Sequence, residues 1–169
     1  MNNINYSLSF KMGKFLTESG LKLAVAESCT GGGLANEITA VPGSSNYFDR
    51  GFVTYTNESK CELLGVPMKL IETQGAVSAE VAEAMAKGVL AHSHADIAVS
   101  ITGIAGPEGG SVDKPVGLVW FALADSKGFC ESRKMFFGGG RKAVRRQSIG
   151  FVLEWVIKSI IVKSINPFS

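Results

Sequence analysis

Apolar side chains recur along this chain with two different spacings, and the alternation between them predicts its elements. Leu8, Met12, Phe15 and Leu16 repeat at helical spacing within residues 6–19, and Gly20 is a stop signal. Residues 21–27 form an apolar run ending in Glu27, which reads as a buried strand. Residues 32–39 return to the helical period, and Val41-Pro42-Gly43-Ser44-Ser45 ends it. In residues 51–56 the period becomes two, with Val53 and Tyr55 on one face and Phe52, Thr54 and Thr56 on the other. Asn57 then caps a short helix over 58–64, closed by Gly65 and Pro67. Residues 68–75 read as a connector with room for one helical turn, and Ser78 opens a long helix to about residue 93.

The second half starts with an apolar strand over 96–102, followed by a glycine-rich loop over 103–110. A fourth strand spans 116–124. Asp125-Ser126-Lys127-Gly128 reads as a hairpin turn into a fifth strand over 129–137, antiparallel to the fourth. Gly138, Gly139 and Gly140 lead into a final helix from Arg141 to about residue 163. Helices alternating with five strands predict a layered α/β domain with a mostly parallel sheet and one reversed strand. Ligands of such sheets sit beyond the carboxyl ends of the strands. Here those ends carry Glu27-Ser28-Cys29-Thr30, Tyr55-Thr56-Asn57 and Thr102-Gly103, so polar groups converge on one rim.

The stretch at the centre of this reading is Ala26-Glu27-Ser28-Cys29-Thr30-Gly31-Gly32-Gly33, a strand-to-helix bend with hydroxyls at its apex. Glycines there permit a tight turn, and the free amides of a helix start attract anions and oxyanions. Ser28 could be a nucleophile beside an oxyanion site. Equally, Ser28 or Thr30 could be an ordinary N-cap. A serine nucleophile needs a base, and the only histidines, His92 and His94, lie two apart near a helix end, far from every glycine-rich loop. That argues against a Ser-His-Asp arrangement and against the usual zinc designs. Lys60 is the candidate base, because a helix N-terminus and burial both lower a lysine's pKa. Its competing reading is a solvated lysine paired with a neighbouring glutamate. Tyr55 could relay a proton or simply pack. Arg141 and Arg145 are four apart and share a helix face, which suits a phosphate, a solvated basic patch or a subunit contact.

Composition narrows the options. The 169 residues fit one domain, and a net charge of +2 gives no general pull toward nucleic acid or membrane. Cys29, Cys61 and Cys130 match no zinc or CxxC spacing, and a reducing cytoplasm is their expected setting. The first ten residues have no basic segment followed by an apolar one, so no signal peptide is expected. The apolar tail over 151–165 is interrupted by Glu154, Lys158 and Lys163, which favours a docked helix over a membrane span.

Several motifs follow one another along the chain: Ala26-Glu27-Ser28-Cys29-Thr30-Gly31-Gly32, Pro42-Gly43-Ser44-Ser45 and Gly51-Phe52-Val53-Thr54-Tyr55-Thr56-Asn57-Glu58-Ser59-Lys60. Gly75-Ala76-Val77-Ser78, Thr102-Gly103-Ile104-Ala105-Gly106-Pro107, Lys114-Pro115-Val116-Gly117 and residues 138–147 continue the series. In this order they resemble the CinA C-terminal domain family. The resemblance implies a three-layer α/β/α sandwich around a five-stranded mixed sheet. It implies an amidase that converts nicotinamide mononucleotide to nicotinic acid mononucleotide and ammonia in pyridine nucleotide salvage. Ser28 would be the nucleophile, with Lys60, Tyr55 and a polar contact from Thr102. Substrate contacts are expected from Thr30, Gly31, Gly32, Asn57, Gly103, Arg141 and Arg145. No metal or organic cofactor, no nucleic-acid partner and no membrane are implied, while a homo-oligomer is compatible with the family. Larger members carry an additional N-terminal domain, for which this chain has no room. The competing reading is a nucleotide-binding module without turnover, linked to competence or DNA damage. Gly33 stands where a larger residue is common in the family, and Cys29 is a rival nucleophile.

Overall fold

The structure, a computed structural model, describes residues 4–165, with side chains described as far as Val162. One sheet contains β1 (Leu23–Glu27), β2 (Phe48–Val53), β3 (Ile97–Gly103), β4 (Leu118–Asp125) and β5 (Cys130–Phe136), in the order β2-β1-β3-β4-β5. β1 pairs parallel with both β2 and β3, whereas β4 runs antiparallel to both β3 and β5. The single reversed strand is therefore β4, held between two strands of the opposite direction. This reversal has a consequence for the site. It returns the carboxyl end of β5, and the chain that follows, to the same rim as the ends of β1, β2 and β3.

The period-two pattern sorts side chains between the faces. Leu23 and Val25 of β1 pack with Met12 and Leu16 of α1 (Ile4–Ser19), Leu34 and Ile38 of α2 (Gly33–Thr39), and the apolar side of α6 (Arg141–Ile165). Ala24 and Ala26 point the other way, toward α3 (Asn57–Leu64), α4 (Met68–Gln74) and α5 (Ala79–Ala91). The result is a three-layer α/β/α sandwich. Small residues dominate under α5: Ala122 and Ala124 meet its Ala82 and Ala86, and the Ser100 hydroxyl donates to the Ala82 carbonyl at 2.6 Å. Close approach also governs the contact of α5 with α3. A Cβ on Gly88 would stand 2.9 Å from the carbonyl carbon of Leu64, and nearer still to its oxygen. Backbone cannot yield as a side-chain tip can, so Gly88→Ala is expected to destabilise the fold by roughly 3 kcal/mol. Urea unfolding of the two proteins measures this.

Three local details differ from the sequence reading. β2 begins three residues earlier than expected, because its register pairs Glu27 with Val53 and the chain leaves the sheet at Thr54. Residues 68–74 are a helix entered from Pro67 and anchored by buried Ile71, rather than a connector. Thr56, not Asn57, caps α3. Its hydroxyl accepts from the Ser59 amide while the Ser59 hydroxyl accepts from the Thr56 amide, both at 3.1 Å. Asn57 is thereby released to the rim.

Candidate active site

The bend after β1 is built around Glu27. This side chain is 1% exposed, and its two oxygens accept the amides of Leu34 at 3.0 Å and Ala35 at 2.8 Å. A carboxylate on the first-turn amides of α2 also complements the helix dipole. Neither Ser28 nor Thr30 caps the helix, as the sequence reading had allowed. The N-cap residue is Gly32, at φ 90°, which has no side chain to offer. The Ser28 amide donates to the Ile101 carbonyl at 2.9 Å, continuing the β1–β3 ladder by one rung. Ser28 therefore stands at the end of a central strand, with its backbone fixed on both sides.

Lys60 comes to it from the first turns of α3. Its side chain is 1% exposed, and Nζ lies 3.2 Å from Ser28 Oγ, 2.8 Å from the Thr54 carbonyl and 3.4 Å from the Thr56 carbonyl. No carboxylate is paired with it among the described salt bridges. Burial holds its pKa below the ordinary lysine value, while negative charge on Cys29 or Cys61 would act the other way. Burial likewise pushes the Cys29 thiol up to about 11, so near neutral pH Cys29 carries no such charge. A neutral Lys60 amine has two N–H donors and one lone pair. The carbonyls of Thr54 and Thr56 can take the donors, leaving the lone pair for the Ser28 hydroxyl proton. An ammonium would satisfy the same three acceptors, so the site accommodates both protonation states.

The pair opens on a cleft of about 260 Å³ at the sheet rim, which Asn57 and Gly103 also line. Tyr55 is 55% exposed, and its phenol oxygen accepts from Arg141 Nη2, while Arg141 Nη1 donates to the Gly106 carbonyl at 3.0 Å. Arg141 thus joins the β2 end to the glycine-rich loop across the cleft. Thr102 is 1% exposed, and its hydroxyl donates to the Ala76 carbonyl at 2.8 Å, tying the segment before α5 to β3. The remaining candidates do not line this cleft. Thr30 is fully buried, Gly31 and Gly32 form the turn behind Ser28, and Arg145 Nη2 donates to the Thr30 carbonyl at 2.6 Å. Two groups escaped the sequence reading. Glu108 brings a carboxylate to the cleft, and Glu27 caps α2 from seven residues away. Only the position of Glu27 at a strand end, just before a helix start, could have signalled the latter.

Cys29 is 5% exposed and its thiol is held protonated, which disfavours it as the nucleophile. His92 closes α5 with Nδ1 2.8 Å from the Gly88 carbonyl, and the His94 amide donates to Asp49. Neither lines the cleft. Among the described residues no group of three His, Cys, Asp or Glu side chains converges, and no helix is long and apolar enough to cross a membrane.

Fold and site together define an α/β/α-layered protein with a serine–lysine pair at a strand-to-helix bend. The model of the CinA C-terminal domain matches residues 5–160, and the chain belongs to that family. It is 49% identical over 156 residues to a nicotinamide-nucleotide amidohydrolase PncC of Enterobacter agglomerans, a match covering 92% of this chain and 95% of the relative. The nicotinamide-nucleotide amidohydrolase PncC of Escherichia coli K12 is 50% identical over 147 residues, covering 87% and 89%. Among solved structures, the competence/damage inducible protein CihA of Agrobacterium tumefaciens superposes with a TM-score of 0.90 at 43% identity. That match covers 94% of this chain and 96% of the other.

Proposed function

We propose that this protein hydrolyses the carboxamide of nicotinamide mononucleotide, giving nicotinic acid mononucleotide and ammonia for pyridine nucleotide salvage. The observation that carries the reading is the 3.2 Å contact between buried Lys60 Nζ and Ser28 Oγ, with no carboxylate ion-paired to Lys60 among the described residues. The names of two relatives at about half identity supply the substrate. Lys60 takes the Ser28 proton directly as Oγ bonds to the amide carbon. The Tyr55 phenol is engaged by Arg141, so the direct route is favoured over a relay. The C–N bond then breaks, and Lys60 gives its proton to the departing ammonia. Water attacks the resulting ester, passes a proton to Lys60, and Ser28 leaves with that proton restored. The three cysteines are free thiols, which fits a cytoplasmic setting.

Arg141 has two of its donors engaged, and a guanidinium has five. Arg141 lines the cleft, so its remaining donors suit the 5′-phosphate, with Asn57 and Gly103 beside the nucleoside. Ammonia release from the mononucleotide and from free nicotinamide, measured side by side, tests this. The mononucleotide is expected to be turned over and free nicotinamide to be poor. Arg141→Ala should raise KM for the mononucleotide by about tenfold, as loss of one charge-assisted contact predicts. No ammonia from wild-type protein would remove the amidase reading and leave the non-catalytic nucleotide-binding module.

A further inference from the structure

Arg145 was a phosphate candidate by spacing, but its guanidinium is turned into the protein. Nη2 donates to the Thr30 carbonyl at 2.6 Å, and a Cβ on Gly31 would lie 3.3 Å from the same nitrogen. The Thr30 carbonyl belongs to the peptide whose N–H is that of Gly31. The Gly31 N–H in turn donates to the Ser28 carbonyl at 3.0 Å. The Ser28 carbonyl belongs to the peptide whose N–H is that of Cys29, and Cys29 lines the cleft. A hydrogen-bonded line of peptides therefore runs from a fixed positive charge to the amide immediately after the nucleophile. Among the described residues that amide has no partner beyond its own sulfur, whereas the Gly31 and Gly33 amides are spent on carbonyls of the turn.

We infer that Arg145 is a positioning residue, holding and polarising the turn so that the Cys29 amide donates to the oxyanion formed when Ser28 attacks. The inference rests on the serine-amidase reading above. It assigns the oxyanion donor to the Cys29 amide, whose residue lines the cleft while residues 30–33 do not, with a stated source of polarity. Each peptide in such a line strengthens the next, and a preorganised donor acts only as negative charge develops. Burial raises the Cys29 thiol, and Arg145 is the foremost of the side-chain charges opposing that rise, so its field reaches this end of the line.

The test compares wild type, Arg145→Met and Arg145→Lys on nicotinamide mononucleotide and on the unphosphorylated nicotinamide riboside. Arg145→Met is expected to lower kcat by roughly 10- to 100-fold on both substrates alike, a share of the value of one oxyanion donor, with KM changed less than about twofold. Arg145→Lys keeps a charge within reach of the carbonyl and should recover part of the loss. A loss confined to KM for the phosphorylated substrate would make Arg145 a phosphate anchor and overturn the inference. So would an unchanged kcat, or a fall matched only by a lower Tm. A second arm separates this from the substrate assignment. A fluorophosphonate bonds its phosphorus to Ser28 Oγ as fluoride leaves and Lys60 takes the proton. Labelling should be about tenfold slower in Arg145→Met even if neither amide is a substrate, and equal labelling rates would overturn the inference.

Discussion

Ser28→Ala is expected to lower kcat for ammonia release by about 10³-fold or more, with KM little changed. The change removes one oxygen and no backbone contact, because Ser28 is held by its amide on Ile101 and its carbonyl under Gly31. The fold should therefore persist, and circular dichroism should match wild type. Water positioned by Lys60 and the turn amides can still attack the amide, which sets the residual rate. Cys29 cannot substitute. It follows Ser28 by one residue, burial holds its thiol pKa at about 11, and Lys60 Nζ is engaged with Ser28 and the Thr54 and Thr56 carbonyls. The measurement is steady-state ammonia release, with intact-mass analysis for an ester on residue 28 in wild type. Wild-type turnover by Ser28→Ala would end the nucleophile assignment and with it the proposed mechanism.

The rim of the sheet was legible because apolar runs end there in polar residues. Ser28, Tyr55, Asn57, Thr102 and Gly103 all stand at or just beyond strand ends, and they line one cleft. Lys60 was legible from a different signal, a lysine early in a short helix after a strand end. Its distance to Ser28 was not, since 32 residues separate them and only the pairing of β1 with β2 brings their segments together. Capping rules search for a side chain at the N-cap itself. They found Asn57, where Thr56 with Ser59 does the work, and they passed over Glu27, which reaches α2 from the strand. The shift of β2 has the same root: β-branched residues continue to Thr56, but the chain must leave the ladder after Val53 for the Thr54 and Thr56 carbonyls to turn toward Lys60. Arg145 shows the limit of spacing arguments. Four-residue separation put it beside Arg141, while the turn of glycines beneath it decided where its guanidinium went.

Lys60→Ala should cost about as much as Ser28→Ala, since members of one catalytic unit fail together, and the double variant should be no slower than either single one. Lys60→Arg should not restore activity, because a guanidinium does not give up its proton at these pH values and cannot accept one from Ser28. In wild type the rate should rise with pH as Lys60 deprotonates, through a value below the ordinary 10.5, since burial favours the neutral amine. The same group links pH to stability. Below its lowered folded value Lys60 is protonated in both states, and the buried charge weakens the fold. Above that value the folded protein releases the proton while the unfolded chain keeps it up to about 10.5, so stability climbs with pH by at most about 1.4 kcal/mol per unit. Lys60→Met has no such climb. Cys29 acts with the opposite sign from the ordinary thiol value of 9.0 upward, but it does so in both proteins, so the difference between them, followed by urea unfolding up to about pH 10.5, isolates Lys60. A stability difference independent of pH, together with activity retained in Lys60→Arg, would mean that Lys60 stays charged and holds the turn at Thr54 without moving a proton.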